Sequence, residues 1–238
     1  MIERKRSAGA PWRNFYGRRH GKKLRKGHAD LIDRRLAELA PLGIRWDENP
    51  RRDKIDPAAL WPGKALWLEI GFGGGEHMIA QAKSHPEAQI LGADPFINGV
   101  AKLLAAIERS GVMNISVTDE DARNVMDVLP DGAIGRAFLL YPDPWPKTRH
   151  HKRRFVNPEG LDMLARVMEP EAELRVATDI EDYVRHSLEQ VDRHPAFFWT
   201  ARRPADWREP WADWQSTRYE AKALREGRTP HYLTFRRV

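Results

Sequence analysis

Five short apolar runs alternate with segments of helical length between residues 64 and 192, and this alternation restricts the chain to one class of architecture. The runs cover residues 65–70, 89–93, 114–117, 136–141 and 173–177. The intervening and following segments predict helices over 76–84, 96–109, 158–168 and 180–191, with a helical turn at 125–129. Strands separated by helices cannot pair through tight hairpins. Each crosses over and returns parallel to a neighbour, and the crossing helices cover both faces of the sheet. Residues 197–199 and 232–235 are candidate last strands. The expected fold is therefore α/β, a mostly parallel, doubly wound sheet.

The ends of these strands carry the polar groups. Gly71-Phe72-Gly73-Gly74-Gly75 follows the first strand, and Glu69 sits two residues before its first glycine. Asp94 ends the second strand, 21 residues after Gly73. Asp121 follows the third, Asp143 the fourth and Asp179 the fifth. Open parallel sheets bind ligands beyond the carboxyl ends of their strands, where strand order reverses. A glycine turn lets backbone approach such a ligand closely, and Asp94 is placed to accept hydrogen bonds from ribose hydroxyls. Both NAD and S-adenosylmethionine fit that spacing. Glu76 stands where a dinucleotide fingerprint has its third glycine, and Glu69 would crowd a pyrophosphate. S-adenosylmethionine has no phosphate and carries cationic groups that tolerate carboxylates, so it is the favoured ligand. Asp121 is either a helix N-cap or an acceptor for the adenine amino group.

Composition narrows the partners. The net charge of +6 is uneven: residues 1–26 carry ten Lys or Arg against Glu3 alone, a net +9, and the remaining 212 residues sum to −3. Residues 1–26 thus read as a flexible basic arm suited to phosphate contacts. Within it, Trp12, Phe15 and Tyr16 could stack on bases or pack on the body. Residues 27–63 read as an N-terminal helix and a proline-broken lead-in, and 64–238 as the domain that holds the sheet and the expected S-adenosylmethionine site. No apolar run is long enough to cross a membrane, and no apolar stretch follows the basic N-terminus. A cytoplasmic protein without a membrane partner is expected. The chain has no cysteine, and His150 and His151 lack a second ligand pair, so no metal is expected. Trp207, Trp211 and Trp214 are spaced to share one helical face and pack on the core.

The segment from Tyr141 to Arg154 adds the most specific signal. Asp143 lies between Pro142 and Pro144, which predicts a stiff, extended turn at the end of a strand. Trp145, Pro146 and Lys147 follow, then Arg149, His150, His151, Lys152, Arg153 and Arg154. A rigid acid beside a dense basic run suggests an active site bordering a polyanion. The chain resembles the bacterial tRNA (guanine-N7-)-methyltransferase family over roughly residues 40–238. The resemblance rests on Leu68-Glu69-Ile70-Gly71-Phe72-Gly73, Gly92-Ala93-Asp94, Asp121-Ala122, Pro142-Asp143-Pro144-Trp145-Pro146-Lys147, Thr178-Asp179 and Thr217-Arg218-Tyr219-Glu220.

That resemblance implies a Rossmann-like class I methyltransferase with an antiparallel C-terminal strand, acting on a variable-loop guanine of tRNA. It implies S-adenosylmethionine contacts at Glu69, Gly71, Gly73, Asp94, Asp121 and Asp143. It also implies tRNA or target-base contacts at Lys147, Asp179, Thr217, Arg218, Tyr219 and Glu220, and RNA contacts along residues 149–154. Asp143 is the candidate catalytic group, either stabilising charge on the guanine or positioning it. Asp179 and Glu220 are candidate acceptors for guanine N1–H and N2–H₂. The chain departs from the family pattern at Asp94, where Glu is frequent, and at Ile180, where Trp is frequent. Arg218 and Ala223 depart from a frequent Lys and Gly. Three other readings stay open: a methyltransferase for another RNA or base, a non-catalytic tRNA binder, and a nicotinamide-dependent oxidoreductase. Either a monomer or a homodimer is compatible with the sequence. Removing residues 1–26, an arm expected to stay clear of the active site, should weaken tRNA binding and flatten its salt dependence. Filter binding across a salt series measures both, and unchanged binding would reject the arm's role.

Overall fold

The computed structural model describes residues 13–238, so the expectations for Trp12 and the first twelve residues fall outside it. Helix α1 (Lys26–Leu31) continues through a π-helical turn (Ile32–Leu36) into α2 (Ala37–Leu39), and α3 (Pro57–Leu60) precedes the sheet. Then follow β1 (Ala65–Ile70), α4 (Glu76–Ser84), β2 (Ala88–Ala93), α5 (Ile97–Ser110), β3 (Ile115–Thr118), α6 (Ala122–Val128) and β4 (Ile134–Leu140). A short 3₁₀ helix (Thr148–Arg153) leads to α7 (Pro158–Val167), β5 (Met168–Thr178), α8 (Glu181–Asp192) and β6 (Phe197–Trp199). Helices α9 (Ala205–Arg208) and α10 (Arg218–Arg225) and strand β7 (His231–Arg237) complete the chain.

The seven strands form one sheet in the order β3-β2-β1-β4-β5-β7-β6. Strands β1 to β5 pair in parallel, and β7 is antiparallel to both β5 and β6. Period-two alternation divides the apolar residues between two cores. Leu66, Leu68 and Ile70 of β1 pack with Leu139, Leu174 and Val176 on one face. Trp67 packs with Ile90, Phe138 and Leu140 on the other. Helices on both faces bury these layers, as the alternation predicts. Leu31 and Leu36 of the lead-in join the second core beside α5.

Two local expectations differ from the structure. The tryptophans at 207, 211 and 214 do not share a helix, because Pro210 ends α9 before Trp211. They still pack: Trp207 stacks on His231 at 5.3 Å, and Trp211 and Trp214 enclose Tyr232. Helix α10 is additional. Its signal is a capping box, in which Thr217 Oγ1 accepts from the Glu220 amide at 3.3 Å.

One packing contact positions the ligand end. Gly99, in the first turn of α5, lies so close to the glycine turn that a Cβ there would stand 2.2 Å from the Gly73 carbonyl oxygen. Backbone cannot yield as a flexible side chain does. Gly99→Ala should destabilise the fold by about 1–3 kcal/mol through overpacking. Thermal melting of the variant measures this, and an unchanged midpoint would contradict it.

Candidate active site at the switch point of the sheet

Strand order reverses between β1 and β4, and a cleft of about 770 Å³ opens beyond their carboxyl ends. That volume suits a ligand of nucleoside size. Its walls are the glycine turn, the end of β2, the start of α6, the turn after β4 and residues 13–18.

Asp94 organises the floor. Its Oδ2 accepts from the Gly73 amide at 2.8 Å and its Oδ1 from the Phe96 amide at 2.9 Å. Burial raises its pKa from 3.8 to about 6; those two amides and Arg218 oppose the shift, and Asp143 adds to it. Gly73 has φ +58°, and a Cβ there would meet the Tyr219 ring at 2.8 Å, so only glycine fits this wall. The turn is thus a cradle with no side chain of its own against the cleft. Glu69 lies deeper. It is 2% exposed and bonds His77 Nδ1 at 2.6 Å, under Phe138 and Trp214.

Asp121 lines the cleft and caps α6, accepting from the Arg123 amide at 2.9 Å. The Arg123 guanidinium also pairs with it, at 2.7 Å. The N-cap alternative therefore holds, and each carboxylate oxygen already has a donor.

The turn after β4 is stiff but not simply extended. Tyr141 and Trp145, each preceding a proline, have φ +49° and +42°. Proline disfavours the right-handed helical region for the residue before it, and these two leave that region on the left-handed side rather than through the extended one. Such conformations cost about 1–2 kcal/mol per residue. Between them Asp143 projects into the cleft and makes no hydrogen bond to another described residue. Crowding by protein raises its pKa, although solvent still reaches it, and Arg18 opposes the shift.

Past the turn the basic residues part company. Lys147, Arg149 and Lys152 are exposed. His150 sits edge-on to Trp145, and His151 lies 3.4 Å from Asp182. The Arg153 guanidinium lies over Trp145 at 4.9 Å and over Tyr16 at 4.4 Å. Arg154 is 1% exposed, so it departs from the expected RNA-facing stretch.

The expected guanine acceptors are engaged within the protein. Asp179 pairs with Arg228. Glu220 is 4% exposed and accepts from Tyr232 Oη, from Trp214 Nε1 at 3.0 Å and from Tyr141 Oη at 3.4 Å. Thr217 is buried as the cap of α10. Tyr219 is exposed and faces the cleft beside Gly73, with Arg218 over its ring at 4.9 Å.

Residues 13–18 were not expected at the site. Arg13 pairs with Asp127, and the Asn14 carbonyl accepts from Arg123 at 3.1 Å. The Arg19 carbonyl accepts from the Ile97 amide at 3.1 Å, and Asn98 bridges the Gly21 amide and the Lys22 carbonyl. This part of the basic arm crosses the cleft mouth, contrary to the expectation that the arm stays clear of the site.

A cleft at the switch point, a glycine cradle and an acid at the end of β2, on a parallel sheet with an inserted antiparallel β7, define a Rossmann-like methyltransferase. A family model described as "Putative methyltransferase" matches residues 63–233. A tRNA (guanine-N(7)-)-methyltransferase of Ruegeria sp. (strain TM1040) is 58% identical over 98% of this chain and 91% of its own length. One of Roseobacter denitrificans is 60% identical over 94% and 96%. The chain belongs to the tRNA (guanine-N(7)-)-methyltransferase family. In fold it is similar to the 16S rRNA methyltransferase KamB, with TM-score 0.51 and 20% identity over 78% of this chain and 95% of that one. The antibiotic-resistance methyltransferase Kmr gives the same score and identity over 77% and 92%.

Asp94 sets a pH dependence. It is ionised above about pH 6 and protonated below it. On the expectation that Asp94 holds the ribose, its hydroxyls would donate to the ionised form, so S-adenosylmethionine affinity should fall by up to about tenfold per pH unit below pH 6. Calorimetric titration across that range tests this. Asp94→Asn should flatten the profile, and a native profile flat through pH 6 would contradict the assignment.

Proposed function

We propose that the protein transfers a methyl group from S-adenosylmethionine to N7 of a guanine in tRNA, a variable-loop guanine by family resemblance, and works in the cytoplasm. Asp143 carries this reading. Glu69, Asp94, Asp121, Asp179 and Glu220 all receive hydrogen bonds or ion pairs from the protein, whereas Asp143 enters the cleft without a donor among the described residues. Its lone pairs are therefore available to a ligand in the cleft.

The cleft fits the methyl donor in volume and in chemistry. The glycine cradle at Gly71 and Gly73 admits its amino-acid end. Asp94 would hold the ribose hydroxyls, and Asp121 would accept the adenine amino group through lone pairs that Arg123 leaves free. Once bound, S-adenosylmethionine supplies an electrophilic methyl carbon on a sulfonium.

Guanine N7 has a lone pair and no proton, so no residue has to act as a base. What the chain supplies is alignment, which is worth on the order of 7–11 kcal/mol in favourable cases, and a charge complementary to the cation that forms on the base. Asp143 supplies the charge, and its turn supplies the alignment. The raised pKa of Asp143 reflects crowding by protein that Arg18 only partly opposes, and a cationic ligand would lower it. Tyr219 and Trp145 offer ring faces at the mouth. Lys147, Arg149 and Lys152 hold phosphates, which positions the RNA without reading its sequence.

Methyl transfer to unmodified tRNA, followed by nucleoside mass analysis, should yield N7-methylguanosine. Asp143→Asn should lower turnover by on the order of 10²-fold and leave tRNA affinity unchanged. A different methylated base would overturn the proposal. Alanine at Lys147, Arg149 or Lys152 should reduce the salt slope of tRNA binding by about 0.7–0.9 per residue, and an unchanged slope would remove that residue from the interface.

A further inference from the structure

The basic run contains one cation that cannot reach a phosphate. The Arg154 side chain is closed to solvent. Its Nε donates to the Pro144 carbonyl at 2.9 Å, its Nη1 to the Asp182 carbonyl at 3.3 Å and its Nη2 to the Asp182 carboxylate. The guanidinium also lies over the Tyr183 ring at 5.2 Å. Asp182 neutralises it, and that pairing is the largest cause of the lowered Asp182 pKa.

The partner at Pro144 gives these bonds a purpose. The turn 142–146 contains three prolines, so three of its five residues have no amide to donate. Tyr141, just before it, and Trp145, within it, are left-handed, a conformation that persists only where the surroundings over-determine it. Tyr141 is held at one end: its amide donates to the Ala177 carbonyl at 2.7 Å. Arg154 grips the middle, one residue after Asp143, and ties it to the start of α8.

We propose that Arg154, fixed by Asp182, is a positioning residue for Asp143: it pins the Pro-Asp-Pro-Trp turn and does not bind RNA. The inference rests on the reading of Asp143 given above. The ion pair spans 28 residues and joins the turn after β4 to the helix after β5. Asp143 therefore faces the glycine cradle at a distance set by packed secondary structure rather than by a loop. The fork of the guanidinium is needed for this, since it must reach two carbonyls and a carboxylate at once.

The test uses the full chain with Arg154→Ala, Arg154→Lys and Asp182→Asn, and with Asp143→Asn in parallel. Each is assayed for kcat and KM with tRNA, for tRNA affinity across a salt series, and for hydrogen exchange of residues 141–147. Arg154→Ala and Asp182→Asn should each lower kcat by on the order of 10²-fold, as a displaced catalytic group does. Affinity and salt slope should not change, and exchange in the turn should accelerate. Arg154→Lys should lose nearly as much, because charge without the fork does not restore the grip. Asp182→Asn keeps the volume and the backbone acceptor of residue 182, so it reports even if the alanine variant does not fold. Weaker tRNA binding with a slope reduced by about one, and unchanged exchange, would make Arg154 a phosphate ligand and overturn the proposal. Full turnover in Asp143→Asn would overturn the role of Asp143 itself. Loss of turnover there, with unchanged exchange in the Arg154 variants, would overturn the pin alone.

Discussion

The site depends on the carboxylate of Asp94. Its two oxygens receive the Gly73 and Phe96 amides, so one side chain ties the turn after β1 to the end of β2 and to the start of α5. Gly99 then brings α5 against the Gly73 carbonyl with no atom between them. Asp rather than Glu suits this arrangement, because a short carboxylate reaches backbone amides two residues away and directly across the sheet edge. Burying the charge is costly, and two amides offset it only in part, as the raised pKa records. Under the proposed function, the hydroxyl donors of a bound ribose would add to that compensation.

The cleft is closed on its outer side by residues that look unstructured in sequence. The segment 13–25 forms no helix or strand, and carbonyls and amides of Asn14, Arg19, Gly21 and Lys22 bond to Arg123, Ile97 and Asn98. Its aromatic Tyr16 shares the Arg153 guanidinium with Trp145. The arm and the turn bearing Asp143 therefore meet on one cation. A segment laid down by backbone hydrogen bonds over a ligand cleft leaves no hydrophobic period, which is why only its charge was visible.

What could be read from the sequence follows from the range of each signal. Strand β1, helix α4 and strand β6 match expectation residue for residue, because period and boundary residues are local. The glycine turn and Asp94 were legible because their chemistry repeats at a fixed spacing. Helix α10 is legible through Thr217 and Glu220, which form its capping box. The partners of Glu220, Asp179 and Arg154 lie 12, 49 and 28 residues away, and no pattern in one chain connects them. A run of like charges also conceals its exceptions: Arg149 and Arg154 are the same residue type five positions apart, and only the fold buries one of them.

The chemistry explains why so many charges near the cleft are spent on structure. A nucleophile that needs no deprotonation asks little of titration and much of geometry. Among the acids, Glu69 braces His77, Asp121 caps a helix, Asp182 fixes Arg154, and Glu220 gathers Tyr141, Trp214 and Tyr232. Tyr141 is the residue whose left-handed backbone starts the Asp143 turn, so even Glu220 bears on that turn from below. Each of these pairs removes a degree of freedom from the walls around the carboxylate of Asp143. Preorganisation of this kind stabilises a transition state because the orientation is set during folding and not during the reaction.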